Sequence, residues 1–358
     1  MQITRQRYRG RRWHVVHDPA SNKFYRLNAV SHELVGLLDG VRTVEQAWNI
    51  VLDRHGDMAP TQPEVIQLIS NLYNANLLSI EATPETEQLL RRQRDRLAQK
   101  VKSQALGIMY FRIKLFNPDG IISAVEPTLR PIINKWGFLA WIVFVLFTLT
   151  RLGSHSEALA SGFKDAIAPS NWGWLIVVYV VAKAFHEMGH GVICKRFGGQ
   201  VPEFGALLLV LVPSPYVDAS ACWGFASRWH RIAVGAGGMI FELFLAAIMA
   251  HVWLATPEGT LVHQLAYNAM LTAGLSTVLF NANPLMRFDG YYILSDLLEI
   301  PNMMQQSFKQ LQFYMQKYVY RLEDVSPPTT KPGEAGILTV YGISALAYRI
   351  FLFITITL

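Results

Sequence analysis

Cysteine is scarce in this 358-residue chain: Cys194 and Cys222 are its whole complement. Two thiols build no disulfide framework, so reduced side chains are expected and stability must come from packing. Charge is thin too, at 16% of residues against 51% hydrophobic, and the mean hydropathy is positive. That balance does not suit a single water-soluble core. It suits a membrane protein carrying a polar domain. Arg5, Arg7, Arg9, Arg11 and Arg12 lead into no apolar segment, so no cleavable signal peptide is expected. Internal repeats and low-complexity tracts are absent from the sequence.

What is present is His186-Glu-Met-Gly-His190 at the end of an apolar run, Trp172 to Phe185. Two histidines four residues apart fall on one face of a helix and can grip one zinc ion. Glu187 stands beside them as general base for a water activated by that ion. Ionisable groups in such a run cost about 2.5–3.5 kcal/mol each on insertion scales, and so tend to mark function. A third ligand is offered by Asp289, in Asn281-Ala-Asn-Pro284-Leu-Met-Arg-Phe-Asp289-Gly290 at the end of another apolar run. Read by itself, that segment is also an ordinary turn, since Asn-Pro and Asp-Gly are turn dipeptides. Cys194, one turn past His190, reads as a small apolar filler.

Five apolar stretches are long enough to be candidate spans: Trp136–Thr150, Trp172–Val192, Ile232–Leu254, Leu265–Phe280 and Gly336–Leu358. Lysine and arginine crowd the N-terminal region, Lys195–Arg231 and Arg287–Lys331, whereas Leu152–Asn171 and Ala255–His263 carry only Lys164. The positive-inside rule then puts the N-terminus in the cytoplasm, with the HEMGH and Asp289 ends of their spans on that same side. Glu242, inside the third stretch, either lines a water path or pairs with Lys183 or Arg349. Lys183, one turn before Glu187, either tunes that carboxylate or snorkels. Val201–Asp218 is apolar but too short to span, and Pro213 and Pro215 close it. After Asp289, Tyr291–Ile300 is amphipathic and is expected along a membrane surface, with a polar helix over Met303–Arg321. The last stretch runs apolar to Leu358, which leaves the expectation that the natural chain continues.

The first 82 residues read as a small soluble domain. Trp13–His17 and Lys23–Leu27 alternate like a hairpin around Asp18-Pro-Ala-Ser-Asn. Three helices follow: one capped by Ser31, one after Thr43 and one over about Gln62–Ala75. Residues 83–105 form a charged, helix-prone connector. Its Arg91, Arg92, Arg94, Arg96, Lys100 and Lys102 suit anionic headgroups, at about 1 kcal/mol per basic residue, better than nucleic acid.

HEMGH followed by Asn281, Pro284, Asp289 and Gly290 resembles the site-2 protease family of intramembrane zinc metalloproteases. Met286 stands where that family often has a second proline, and Phe288 where it often has leucine. The pattern Tyr25-Arg-Leu-Asn-Ala-Val-Ser-His-Glu-Leu with Leu37-Leu-Asp-Gly resembles the PqqD-like domain, whose relatives bind peptides. The resemblances imply a mostly α, polytopic helical membrane protein with a small N-terminal winged-helix-like α+β domain. Its divisions run 1–82, a peptide-binding domain; 83–105, the connector; 106–300, a protease-like core; 301–334, a cytoplasmic helical segment; and 335–358, a final span. They imply Zn2+ held by His186, His190 and Asp289, Glu187 as catalytic base, and Asn281 as an oxyanion or substrate contact. Lys183 would tune the site, and a membrane-embedded hairpin near Phe204–Val212 would offer an edge to an extended substrate.

The expected activity is peptide-bond hydrolysis at or within a bacterial inner membrane. The partners implied are the bilayer, a peptide or membrane-protein substrate and components of a peptide export or modification system, and no nucleic acid. Two rivals remain. A non-proteolytic scaffold would hold a structural zinc and bind a peptide for modification or export. A metal transporter would need ligands spread along a path.

Overall fold

The computed structural model describes residues 2–8, 11–18, 23–56, 59–74, 77–78, 110–209, 212–322, 325–329 and 333–357. The basic connector expected at 83–105 lies outside them. The chain divides into two units: Met1–Phe116 with Glu203–Ser214 and Ser220–Ser227, and Asn117–Pro202 with Pro215–Ala219 and Arg228–Leu358.

The first unit opens with three antiparallel strands, β1 (Gln2–Tyr8), β2 (Arg11–Asp18) and β3 (Lys23–Asn28). The expected hairpin is β2–β3, with Val15 opposite Arg26. The strand before it was not expected, because Gln, Thr and Arg dominate β1 and blur its alternation. One sheet face, where His14 stacks on His32 at 3.8 Å, meets the helices. The Ser220–Gly224 turn packs against β2 and β3, where the Gln6 amide donates to the carbonyls of Trp223 (2.7 Å) and Phe225 (3.1 Å).

Three helices follow the sheet: α1 (Ala29–Gly36), α2 (Val44–His55) and α3 (Gln62–Asn74). The cap of α1 is Asn28 rather than Ser31: the Asn28 side chain accepts the Ser31 N–H at 2.6 Å, so the helix starts earlier. Thr43 caps α2 as expected, in a reciprocal capping box with Gln46. Leu34, Ala47, Val51 and Val65 form the core beneath them.

A second sheet, in the order β4 (Tyr110–Phe116), β5 (Phe204–Leu209), β6 (Val212–Val217), includes the apolar segment that is too short to span. β4 pairs antiparallel with β5. Its signal in the sequence was the alternation Phe111, Ile113, Leu115, which went unread.

The second unit is helical: α4 (Asp119–Leu129), α5 (Lys135–Gly153), α6 (Ser156–Ala166), α7 (Trp172–Arg196), α8 (Arg228–Ala255), α9 (Leu261–Leu275), α10 (Asp289–Leu298), α11 (Met303–Tyr314) and α12 (Glu334–Thr357). Among the described residues, four stretches are helical, long and apolar enough to cross a membrane: Lys135–Gly153, Pro169–Arg196, Arg228–Ala255 and Glu334–Thr355. The fifth expected span, Leu265–Phe280, falls short. Its α-helix has 15 residues, about 22 Å at 1.5 Å per residue, before a π turn takes over at Ser276–Asn281. The polar helix expected over Met303–Arg321 likewise ends at Tyr314 and continues as a π turn, Met315–Val319.

Helix α7 stops in a Schellman arrangement. Gly198 adopts φ +85°, Gly199 N–H donates to the Cys194 carbonyl and Gly198 N–H to that of Lys195. Helices α7 and α8 cross where Gly189 meets Gly237, and a Cβ on either residue would strike the other's carbonyl. Helix α10 is pinned to α8 by Arg231 Nε–Asp296 Oδ1 at 2.7 Å, both side chains being buried.

Two outcomes follow from these ties. Removing one partner of a buried ion pair leaves the other uncompensated, so Asp296→Ala should cost about 3–5 kcal/mol in denaturant unfolding. An unchanged midpoint would contradict the role of the pair. Asp119 accepts from Lys195 Nζ (2.7 Å) and Val201 N–H (2.9 Å). Burial raises its carboxyl, but these partners outweigh burial and hold it below its usual 3.8. Its stabilisation is therefore present above about pH 4 and is lost as pH falls through the lower folded value. Asp119→Asn should be less stable than the parent at pH 7, with the gap in melting temperature closing on acidification.

Candidate metal centre

Three elements of the second unit bring their polar groups to one point. Helix α7 presents His186 and His190 one turn apart, on the face turned to α8. The two Nε2 atoms stand 3.1 Å apart. Asp289, the first residue of α10, sets Oδ2 3.1 Å from His186 Nε2 and Oδ1 3.5 Å from His190 Nε2. Its place at a helix N-terminus suits a carboxylate, because the unpaired N–H groups there carry partial positive charge. Gly290 follows it because a Cβ there would strike the Ala282 carbonyl. The sequence placed these three ligand candidates on two separate segments, the histidines on one and Asp289 on the other, and the fold brings all three together.

The spacing fits a metal ion. Ligand atoms at about 2.0–2.1 Å from one tetrahedral zinc stand roughly 3.3 Å from each other, which the three observed separations bracket. The tautomers point the same way. His190 Nδ1 lies 2.7 Å from the Val234 carbonyl, which can only accept, so Nδ1 carries the proton. His186 Nδ1 lies 2.7 Å from Glu242 Oε2 and donates likewise. Rings held by Nδ1 in this way turn both Nε2 atoms toward the same point, an arrangement that suits a shared cation. Space is kept for it as well: a Cβ on Gly238 would collide with both Nε2 atoms. His186, Glu187 and His190 each offer a ligand atom within 4.8 Å of one another.

Glu187 is half-buried beside the histidines, and the backbone N–H of Val217 donates to its Oε2 at 2.9 Å. The last residues of β6 thus orient the carboxylate.

The other two residues singled out from the sequence gather around Glu242. Asn281 Nδ2 donates to Glu242 Oε2 at 3.0 Å, so its donor is turned to that carboxylate. Lys183 Nζ lies 2.9 Å from Glu242 Oε1 and 3.0 Å from Ser276 Oγ. Of the two partners open to Glu242, Lys183 is the one it meets. Arg349 lies instead against Met304 Sδ and over the Phe308 ring. The orienting acceptors of the histidines, Glu242 and the Val234 carbonyl, were not identifiable in advance. Glu242 showed as a carboxylate in an apolar run, but nothing in its spacing pointed to His186, 56 residues away.

Comparison with known proteins bears on the other unit. A family model described as "Coenzyme PQQ synthesis protein D (PqqD)" matches residues 14–78. No curated protein and no solved structure matches the chain. The site-2 protease likeness is not among these matches and is a resemblance of sequence motifs alone. Residues 14–78, from β2 through α3, carry a PqqD-like domain.

Proposed function

We propose that this chain is an integral membrane zinc metalloendopeptidase that hydrolyses a peptide bond at or within the bilayer. The observation that carries the reading is the convergence of His186, His190 and Asp289 with Glu187 beside them. His186, His190 and Asp289 would hold the ion. A zinc ion bound there supplies Lewis acidity, lowering the pKa of its water toward about 7 and polarising a carbonyl oxygen. Glu187, aimed by the Val217 N–H, takes the proton of the attacking water and returns it to the leaving amine. Val217 lies on the edge strand of its sheet, and an extended substrate paired along that edge would lie next to Glu187. Asn281 donates one amide N–H to Glu242, beside His186, and the second N–H of its amide is the donor for an oxyanion or substrate contact.

The membrane setting is supported by the four long apolar helices among the described residues, which carry exposed large apolar side chains. Trp136 is 78% exposed and Phe353 is 70% exposed, along with Phe138, Val143 and Ile350. Apolar faces of that extent match hydrocarbon and not water. The distribution of lysine and arginine supports an inner membrane with the N-terminus and the zinc site toward the cytoplasm. The PqqD-like domain supports a substrate that is a peptide, captured by that domain within a modification or export system. The same match also favours a second reading, a catalytically silent scaffold that holds zinc and presents a peptide.

Glu187→Gln separates the two readings, since the amide keeps an acceptor for Val217 N–H but takes no proton. Peptides from membrane and secreted fractions of cells carrying either form are compared by mass spectrometry, with zinc measured in both proteins. Proteolysis predicts that one product falls by about 10²–10⁴-fold while zinc stays bound. Identical peptide pools with zinc retained would replace it with the scaffold. Gly238→Ala puts a methyl group where the two Nε2 atoms converge, so it should abolish stoichiometric zinc binding while helix content by circular dichroism is unchanged. Full zinc occupancy in that variant would rule out this ligand set.

A further inference from the structure

Glu242 sits fully buried in α8, inside a stretch apolar enough to span a membrane. Its carboxylate is enclosed by donors from α7 and from the π turn. Oε1 receives Ser276 Oγ (2.6 Å) and Lys183 Nζ (2.9 Å). Oε2 receives His186 Nδ1 (2.7 Å), Thr277 Oγ1 (2.7 Å) and Asn281 Nδ2 (3.0 Å), with Lys183 Nζ at 3.2 Å. An ammonium and an amide nitrogen can only donate. The Ser276 and Thr277 hydroxyls can donate as well, so five side chains hold Glu242 in one orientation.

We infer that Glu242 is a positioning residue for the metal. It holds His186 by Nδ1 so that Nε2 turns to the ion, and Lys183 in turn holds Glu242 in place. The π turn is part of this device. Ser276 and Thr277 are adjacent and Asn281 lies four residues on, and the widened turn lets all three reach one carboxylate. The inference rests on the proposed metal site and requires no proteolysis.

The test is a zinc titration against a chromophoric chelator on the full chain in lipid nanodiscs, as wild type, Glu242→Gln, Glu242→Asp and Lys183→Met. Loss of an orienting carboxylate typically weakens metal binding by 10–100-fold. We expect a loss of about that size for Glu242→Gln and a smaller one for Glu242→Asp, which keeps the charge. Lys183→Met removes a partner of Glu242 and leaves the His186–Glu242 bond in place, so it should bind zinc about as tightly as wild type. A purely structural cluster predicts that Glu242→Gln and Lys183→Met weaken binding alike, and that result would overturn the inference. So would wild-type affinity in Glu242→Gln. A wild-type chain that binds no divalent ion would remove the metal site itself, and this inference with it.

Discussion

A charged carboxylate buried in an apolar helix bundle is the constraint on which the metal-site unit depends. Glu242 cannot be left unpaired there, because an unpaired ion inside protein or lipid costs several kcal/mol. Its partners come from α7, which gives Lys183 and His186, and from the turn after α9, which gives Ser276, Thr277 and Asn281. Satisfying Glu242 therefore fixes the rotation of α7 and the end of α9 relative to α8. The same rotation turns the HEMGH face inward. One buried charge specifies the packing and the orientation of a ligand histidine together.

The remaining ligands are secured by neighbouring contacts of the same kind. Gly189 and Gly237 let α7 and α8 approach closely enough for His190 Nδ1 to reach the Val234 carbonyl. Arg231 and Asp296 tie α10 to α8, which holds the helix N-terminus bearing Asp289 near the histidines. Tyr341 on α12 donates to the Pro284 carbonyl at 3.0 Å, steadying the turn before Asp289. Glu187 alone takes its orientation from a strand, through the Val217 N–H. The candidate ligands and Glu187 are thus held by different parts of the fold.

Much of this was legible in the sequence where a short pattern carries the chemistry. HEMGH and Asp289 were found because ligand residues at helical spacing stand out against apolar runs, and Thr43 because a capping box is local. The hairpin of β2 and β3 showed for the same reason. What escaped depends on partners distant in sequence. β1 and β4 become strands by pairing, and the Arg and Lys in their alternation masked them. Ser31 looked like a cap, but the backbone turns one step earlier and Asn28 takes the role. Leu265–Phe280 read as a span because composition is blind to a π turn, which forms where Ser276, Thr277 and Asn281 are drawn to Glu242. Glu242 itself was visible, but its role became clear only beside His186.

The central claim is that two histidines and one carboxylate of this chain hold a zinc ion. X-ray absorption spectroscopy at the zinc edge, on the purified full chain, tests it most directly. The account predicts one zinc per chain with nitrogen and oxygen ligands only, at about 2.0–2.1 Å, and an imidazole scattering pattern that fits two histidines. In Asp289→Ala the two-histidine signature should remain and one oxygen should be lost or replaced by water. Sulfur at about 2.3 Å would implicate Cys194 or Cys222 instead. A chain purified without bound zinc that takes none up on addition would contradict the account.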